Sequence, residues 1–105
     1  MRIVAGRHRG RPLSAPAGEQ TRPTSAITRE SVFNILTHGK VAADGDPVAG
    51  AVVLDGFAGA GANGLEALSR GADHAVFMES QAAAISALRE NLRALDEHAN
   101  ATIVH

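Results

Sequence analysis

A chain of 105 residues, 45% hydrophobic, 20% charged and without cysteine, has the composition of an ordinary soluble globular protein of one domain at most. The missing cysteines exclude disulfides, thiol catalysis and thiolate metal sites, and they fit a cytoplasmic chain. The longest apolar run, residues 51–54, is too short to span a bilayer, and the polar, basic N-terminus carries no signal-peptide apolar region. The net charge of −1 conceals an asymmetry. Residues 1–40 hold seven Lys/Arg against Glu19 and Glu30, a net +5, whereas residues 41–105 hold three Arg against nine acids, a net −6. A basic arm on an acidic body points to a polyanionic partner for the arm.

Taken in chain order, Arg2-Ile3-Val4-Ala5 and Arg11-Pro12-Leu13 predict an extended pair around the glycine-bounded turn Gly6-Arg7-His8-Arg9-Gly10. A hairpin tip with this charge offers arginine forks to phosphates, although a merely solvated turn fits the same cluster. Residues 15–23 form a linker whose two prolines disfavour helix. Thr24 or Ser25 caps a helix expected to run to about Thr37 and stop at Gly39. Its apolar face is expected at Ile27, Val32, Ile35 and Leu36, with Arg29 and Glu30 elsewhere. Residues 39–50 read as a boundary loop, dividing the chain into a basic arm, 1–40, and a ligand-binding body, 41–105.

The body opens as strand, turn and helix. Ala51 to Leu54 are strand formers, Asp55 ends the strand, and Gly59, Gly61 and Gly64 mark the turn into a helix over 62–70 with Gly71 after it. Gly59 and Gly61 are expected to let backbone approach a ligand with no Cβ in the way, while the free N–H groups of the helix face the same spot. The spacing fits a dinucleotide fingerprint, and it also fits a bare tight turn. A carboxylate at Asp55 would repel a pyrophosphate but suits an ammonium and a sulfonium. The next strand, 74–78, is followed by Glu79, placed to accept hydrogen bonds from ribose hydroxyls. Two acids and a glycine turn favour S-adenosylmethionine over NAD. Ser80 is expected to cap a helix over 81–95 with a core stripe of Ile85, Leu88, Leu92 and Leu95. Asp96-Glu97 reads as a solvated helix end, and Ala101 to Val104 as a third strand. The five histidines lack ligand spacing, so no metal is expected. Ser69 and Ser80 lack a nearby base, so hydrolase chemistry finds no support.

Four linked segments carry a resemblance: Met1-Arg2-Ile3-Val4-Ala5-Gly6 with Arg9-Gly10-Arg11-Pro12-Leu13; Thr21-Arg22-Pro23-Thr24; Arg29-Glu30-Ser31-Val32-Phe33-Asn34-Ile35-Leu36; and Leu54-Asp55-Gly56-Phe57-Ala58-Gly59-Ala60-Gly61 through Gly64-Leu65-Glu66-Ala67-Leu68-Ser69-Arg70-Gly71-Ala72. In order and spacing they resemble the bacterial 16S ribosomal RNA guanine-N2 methyltransferases. The resemblance implies an α/β fold, the N-terminal part of a Rossmann-like class I methyltransferase sheet with strand order 3-2-1, preceded by the basic hairpin and helix. It implies that Asp55, Phe57, Ala58, Gly59 and Gly61 border S-adenosylmethionine and that Glu79 holds its ribose. It also implies that Arg7, His8, Arg9, Arg11, Arg22 and Thr24 face 16S RNA or an assembling small subunit. The family often has a second acid two residues after the Glu, and Glu79-Ser80-Gln81 lacks it.

One family motif is missing. Family members continue to a strand ending in Asp-Pro-Pro-aromatic, which holds the target amine, and these 105 residues contain no Pro-Pro pair. No catalytic residue is therefore expected within them, and they read as the N-terminal portion of a methyltransferase. With three strands in the order 3-2-1 the first strand lies at an edge, so these residues are expected to be marginally stable, to self-associate or to need the missing half. Two other readings stay open: a catalytically silent RNA-binding protein and an NAD-type dinucleotide-binding domain.

Overall fold

The structure, a computed structural model, describes residues 1–16, 26–39 and 45–105. Helix α1 (Ala26–His38) precedes strand β1 (Val52–Gly56), helix α2 (Ala62–Ser69), strand β2 (His74–Met78), helix α3 (Ala82–Ala94), a 3₁₀ turn (His98–Asn100) and strand β3 (Ala101–Val104). The strands form one parallel sheet with β2 in the middle, Val52 beside His74 and Ala75 beside Ala101. This is the expected α/β arrangement, with β1 at one edge of the described sheet. Val52 and Leu54 are exposed there.

Phe77 at the centre of β2 packs with Leu65, Leu68, Leu88 and Leu92 of the two helices, and this core also includes Ile3, Leu13 and Phe33. Both helices end in the same way. After α2, Ala72 N donates to Ala67 O at 3.0 Å and Gly71 N to Leu68 O at 3.1 Å. After α3, Glu97 N donates to Leu92 O at 2.9 Å and Asp96 N to Arg93 O at 3.1 Å. These are Schellman motifs, with Gly71 and Asp96 in the left-handed position that closes each helix.

The N-terminal residues form the expected hairpin. Ile3 N donates to Arg11 O (3.0 Å), Gly10 N to Ile3 O (2.8 Å) and Leu13 N to Met1 O (2.8 Å). The hairpin is anchored on α2 by Glu66, whose side chain is fully buried. Its carboxylate accepts Val4 N at 2.8 Å and Ala5 N at 3.0 Å, and it pairs with Arg70 Nε at 2.9 Å and Arg29 Nε at 3.4 Å. Arg29 Nη2 in turn donates to Arg2 O at 2.7 Å. Further along, Ser69 Oγ donates to Ala5 O (2.6 Å) and accepts His8 N (3.0 Å), and Ser69 O accepts Arg7 N (2.9 Å). Here glycine is obligatory. A Cβ on Gly6, whose φ is +88°, would lie 2.0 Å from Ser69 O.

Three expectations are corrected. Helix α1 faces the body with Arg29, Phe33 and, as expected, Leu36, while Ile27, Val32 and Ile35 are exposed at 77%, 49% and 62%. The ion pair with Glu66 and the stacking of Arg70 over the Phe33 ring, 4.9 Å to its centroid, choose that face over the more apolar one. Ser80 does not cap α3. The N-cap is Gln81 without a side-chain bond, and Glu79 accepts the amides of Ser80 (3.0 Å) and Gln81 (2.8 Å). Glu97 is no solvated helix end but a buried group, because left-handed Asp96 turns the chain back. The cap expected at Thr24 or Ser25 lies outside the described residues.

Removing the Glu66 side chain would leave Arg29 and Arg70 buried beside a cavity. Glu66→Ala should cost about 3–5 kcal/mol in urea unfolding. It should also deprotect the Val4 and Ala5 amides in hydrogen exchange well before those of β2. Unchanged protection at those two amides would show that the hairpin holds without the carboxylate.

Candidate cofactor and RNA-facing sites

The carboxyl ends of β1 and β2 converge on the turn 57–61. Ala58 N donates to Met78 O (2.8 Å) and Gly61 N to Ala58 O (2.9 Å), so the turn is closed on itself and tied to β2. The two acids expected here meet across it. Asp55 Oδ2 accepts Gly64 N at 3.0 Å, satisfying one of the free amides at the start of α2. Glu79 Oε1 accepts Gly59 N at 2.8 Å, while its other oxygen takes the two amides at the start of α3.

Their electrostatics differ. Burial pushes the Asp55 carboxyl up from 3.8 to about 6, with the Gly64 amide pulling down and the Glu79 charge pushing further up. For Glu79 the Gln81 and Gly59 amides dominate and hold the carboxyl below its usual range. One acid is desolvated and receptive to a cation; the other is a stable anion fixed by backbone.

The glycines divide by role. A Cβ at Gly59, where φ is +58°, would meet nothing within 4 Å, so this backbone faces open space. At Gly61 a Cβ would lie 2.4 Å from Leu88 Cδ1, and at Gly64 2.3 Å from Phe77 Cε1. Those two glycines are required by the contact of α2 with the core. Internal packing is thus reason enough for glycine at 61, beside whatever its backbone offers a ligand. Phe57 is 98% exposed at φ 56°, an uncommon left-handed residue without glycine's freedom. With Gly56, Met78, Glu79, Ser80, Val104 and His105 it lines a cleft of about 260 Å³ at the strand ends.

The basic residues at the hairpin tip are only partly available. Arg7 and His8 both engage Glu97, at 3.1 Å from Arg7 Nε and 2.8 Å from His8 Nε2. Burial pushes Glu97 up, but bonds from Asn100, Arg7 and His8 outweigh it and leave the carboxyl below its usual value. Arg11 Nη2 donates to Ala94 O at 2.7 Å. Arg9 is exposed. Arg22 and Thr24 lie outside the described residues.

Sequence reasoning did not single out Asn91. Buried on α3, it accepts Ser14 N (2.7 Å) and donates to Ser14 O and Ala60 O, both at 3.0 Å, joining the chain after the hairpin to the glycine turn. Its signal was a lone amide one residue before Leu92 of the core stripe.

Residues 1–105 match the family model described as conserved hypothetical protein 95. The chain belongs to this family. It is the family of ribosomal RNA small subunit methyltransferase D. The Escherichia coli (strain K12) protein of that name is 40% identical over 105 residues, all of this chain and 48% of the relative. The Haemophilus influenzae protein of the same name is 38% identical over 95 residues, 90% of this chain and 45% of the relative. Among solved structures, the Escherichia coli protein yhhF superposes with a TM-score of 0.79 at 38% identity, over 99% of this chain and 51% of that one. A hypothetical protein from Thermus gives 0.78 at 36% identity, over 99% and 54%. The chain spans about half the length of the curated relatives it matches. The relatives' names support methyl transfer to ribosomal RNA as the family's activity.

The desolvation of Asp55 predicts a pH signature. The folded value lies above the unfolded one, so between pH 3.8 and about 6 the native state keeps a proton that the unfolded chain releases. Stability falls across that window, and the deficit persists above it. Asp55→Asn keeps an acceptor for Gly64 N and removes the charge. It should be nearly neutral in urea unfolding at about pH 4 and stabilising by on the order of 1–3 kcal/mol at about pH 7.5. An equal effect at both pH values would show that Asp55 is not a desolvated acid.

Proposed function

We propose that this chain forms the S-adenosylmethionine-holding and RNA-facing part of an enzyme that methylates a guanine N2 amine of 16S ribosomal RNA. The observation that carries the proposal is the pair of acids at adjacent strand ends. A desolvated Asp55 and a backbone-fixed Glu79 flank a left-handed turn whose Gly59 faces open space. The donor set suits the cofactor. Glu79 Oε1 accepts a single amide and has a position left for a ribose hydroxyl, and the cost of ionising Asp55 is relieved by a cationic ligand. A pyrophosphate would worsen that cost, which disfavours NAD. Phe57 and Ala58 complete the border, and Phe57 offers an exposed ring to an adenine or a base face.

S-adenosylmethionine, when bound, supplies an electrophilic methyl group on a sulfonium. What the protein must add is a grip on the amine, whose lone pair is delocalised into the guanine ring. That grip needs acceptors for the amine hydrogens and an aromatic clamp, so that alignment lowers the barrier. These 105 residues hold no Asp-Pro-Pro-aromatic sequence to provide it. Their share of the work is to hold the cofactor and to present RNA through the hairpin and the 22–24 segment. Residues 1–40 act as the RNA arm and 41–105 as the cofactor-binding body.

Calorimetry should show S-adenosylmethionine binding that strengthens as pH rises through about 6 in the parent and stays flat in Asp55→Asn. NAD should not bind. Gly59→Val should abolish cofactor binding with little loss of helix, whereas Gly64→Ala should lower the melting temperature because its Cβ meets Phe77. NAD binding tighter than S-adenosylmethionine binding would overturn the reading.

A radiolabelled-methyl assay on small-subunit particles should give no turnover from residues 1–105. Turnover by this chain would show that the amine is held by residues described above.

A further inference from the structure

A second cleft, of about 540 Å³, lies between α3 and the edge strand β3, away from the strand ends that border the cofactor site. It is lined by Arg89, Leu92, Arg93, His98, Ala101 and Ile103. Arg89 and Arg93 are four residues apart, so both guanidinium groups project from one side of α3, one turn apart, above a floor of Leu92, Ala101 and Ile103. Residues 41–105 contain three Arg and no Lys. Arg70 is consumed inside the protein by Glu66. The other two meet in this cleft. Among the described residues the ion pairs engage Arg7, His8, Arg29, Arg70 and His98, and neither Arg89 nor Arg93 has an acidic partner.

The hairpin abuts the same place. Arg11 reaches the carbonyl of Ala94, the residue after Arg93, and Arg7 and His8 hold Glu97, the residue before His98. Arg11 thus meets the chain at the end of α3, next to the cleft that Arg89, Arg93 and His98 line. Of the three acids between Arg89 and His98, Glu97 is buried and held by Arg7 and His8, Glu90 and Asp96 are exposed, and Asp96 lies 3.7 Å from His98. Compensation of the α3 dipole accounts for a cation in the last turn, where Arg93 sits, but not for Arg89 in the turn before it.

We propose that the cleft is an RNA-backbone site continuous with the hairpin, in which Arg89 and Arg93 each bind a phosphodiester and the apolar floor receives a ribose or base face. The proposal rests on the reading that the hairpin faces RNA. Ala101, the first residue of β3, lines the cleft, whereas the cofactor pocket lies at the carboxyl ends of the strands. The cleft thus anchors RNA at a distance from the reacting base and leaves cofactor binding untouched.

The test compares the parent 105-residue chain with Arg89→Ala/Arg93→Ala, Arg89→Lys/Arg93→Lys and Arg9→Ala. Filter binding to 16S ribosomal RNA is read from about 50 to 200 mM salt. The double alanine variant should flatten the slope of log affinity against log salt by roughly 1.4–1.8, about 0.7–0.9 for each lost phosphate contact. The double lysine variant should keep the parent slope, and all four proteins should melt alike and bind S-adenosylhomocysteine equally. If Arg9→Ala flattens the slope while the double alanine variant does not, the cleft proposal is overturned and the hairpin reading stands. If the parent binds no RNA, both fall. A DNA duplex of equal length, run in parallel, should bind more weakly, and equal binding would overturn the assignment to RNA.

Discussion

The architecture depends on one buried carboxylate. Glu66 sits on α2 and collects two backbone amides from the hairpin, the Arg70 guanidinium from its own helix and that of Arg29 from α1. An ion pair out of water is weak evidence for net stability, because desolvating the charges offsets their attraction. Its effect is on specificity. The four donors come from the hairpin, α1 and α2, so satisfying the carboxylate ties all three to one another. The most apolar side of α1 faces outward as a result.

The proposed cofactor site shows the opposite use of charge. Asp55 is kept half-buried with a single amide partner, so the free protein carries an acid whose ionisation is unfavourable. Glu79 has three amides and no such difficulty. Left-handed Phe57 adds backbone strain beside them. The ionisation of Asp55 is thus a cost to the fold by itself that a cationic ligand would relieve.

The local elements were legible in the sequence. Strand 74–78 has the bounds read from its residues, helix α2 ends one residue early, and helix α3 is shorter than expected by one residue at each end. Alternation, glycine punctuation and a leucine stripe are short-range signals that place each strand and helix, whereas the order of the strands was implied by the family resemblance. The failures involve partners distant in the chain. Nothing near Arg29 announces that Glu66 will bury it, so periodicity selects the wrong face of α1. Glu97 looks solvated beside Asp96 until a left-handed residue turns it inward onto the hairpin tip. Gly59, Gly61 and Gly64 form one motif on paper, yet Gly59 alone fronts open space, because what would meet a Cβ is decided by Phe77 and Leu88.

The hairpin's attachments also set a timetable. Its bonds to Glu66, Ser69 and Glu97 span 61 to 90 residues of chain. Closing loops of that length precedes any energetic return, which slows folding relative to local structure. Of these residues, the first to leave a ribosome are therefore among the last to find their place, waiting until α2 and the end of α3 have been made. During that interval Arg7 stands unpaired in solution, and Glu97, which later receives it, is the chain's own remedy for that charge.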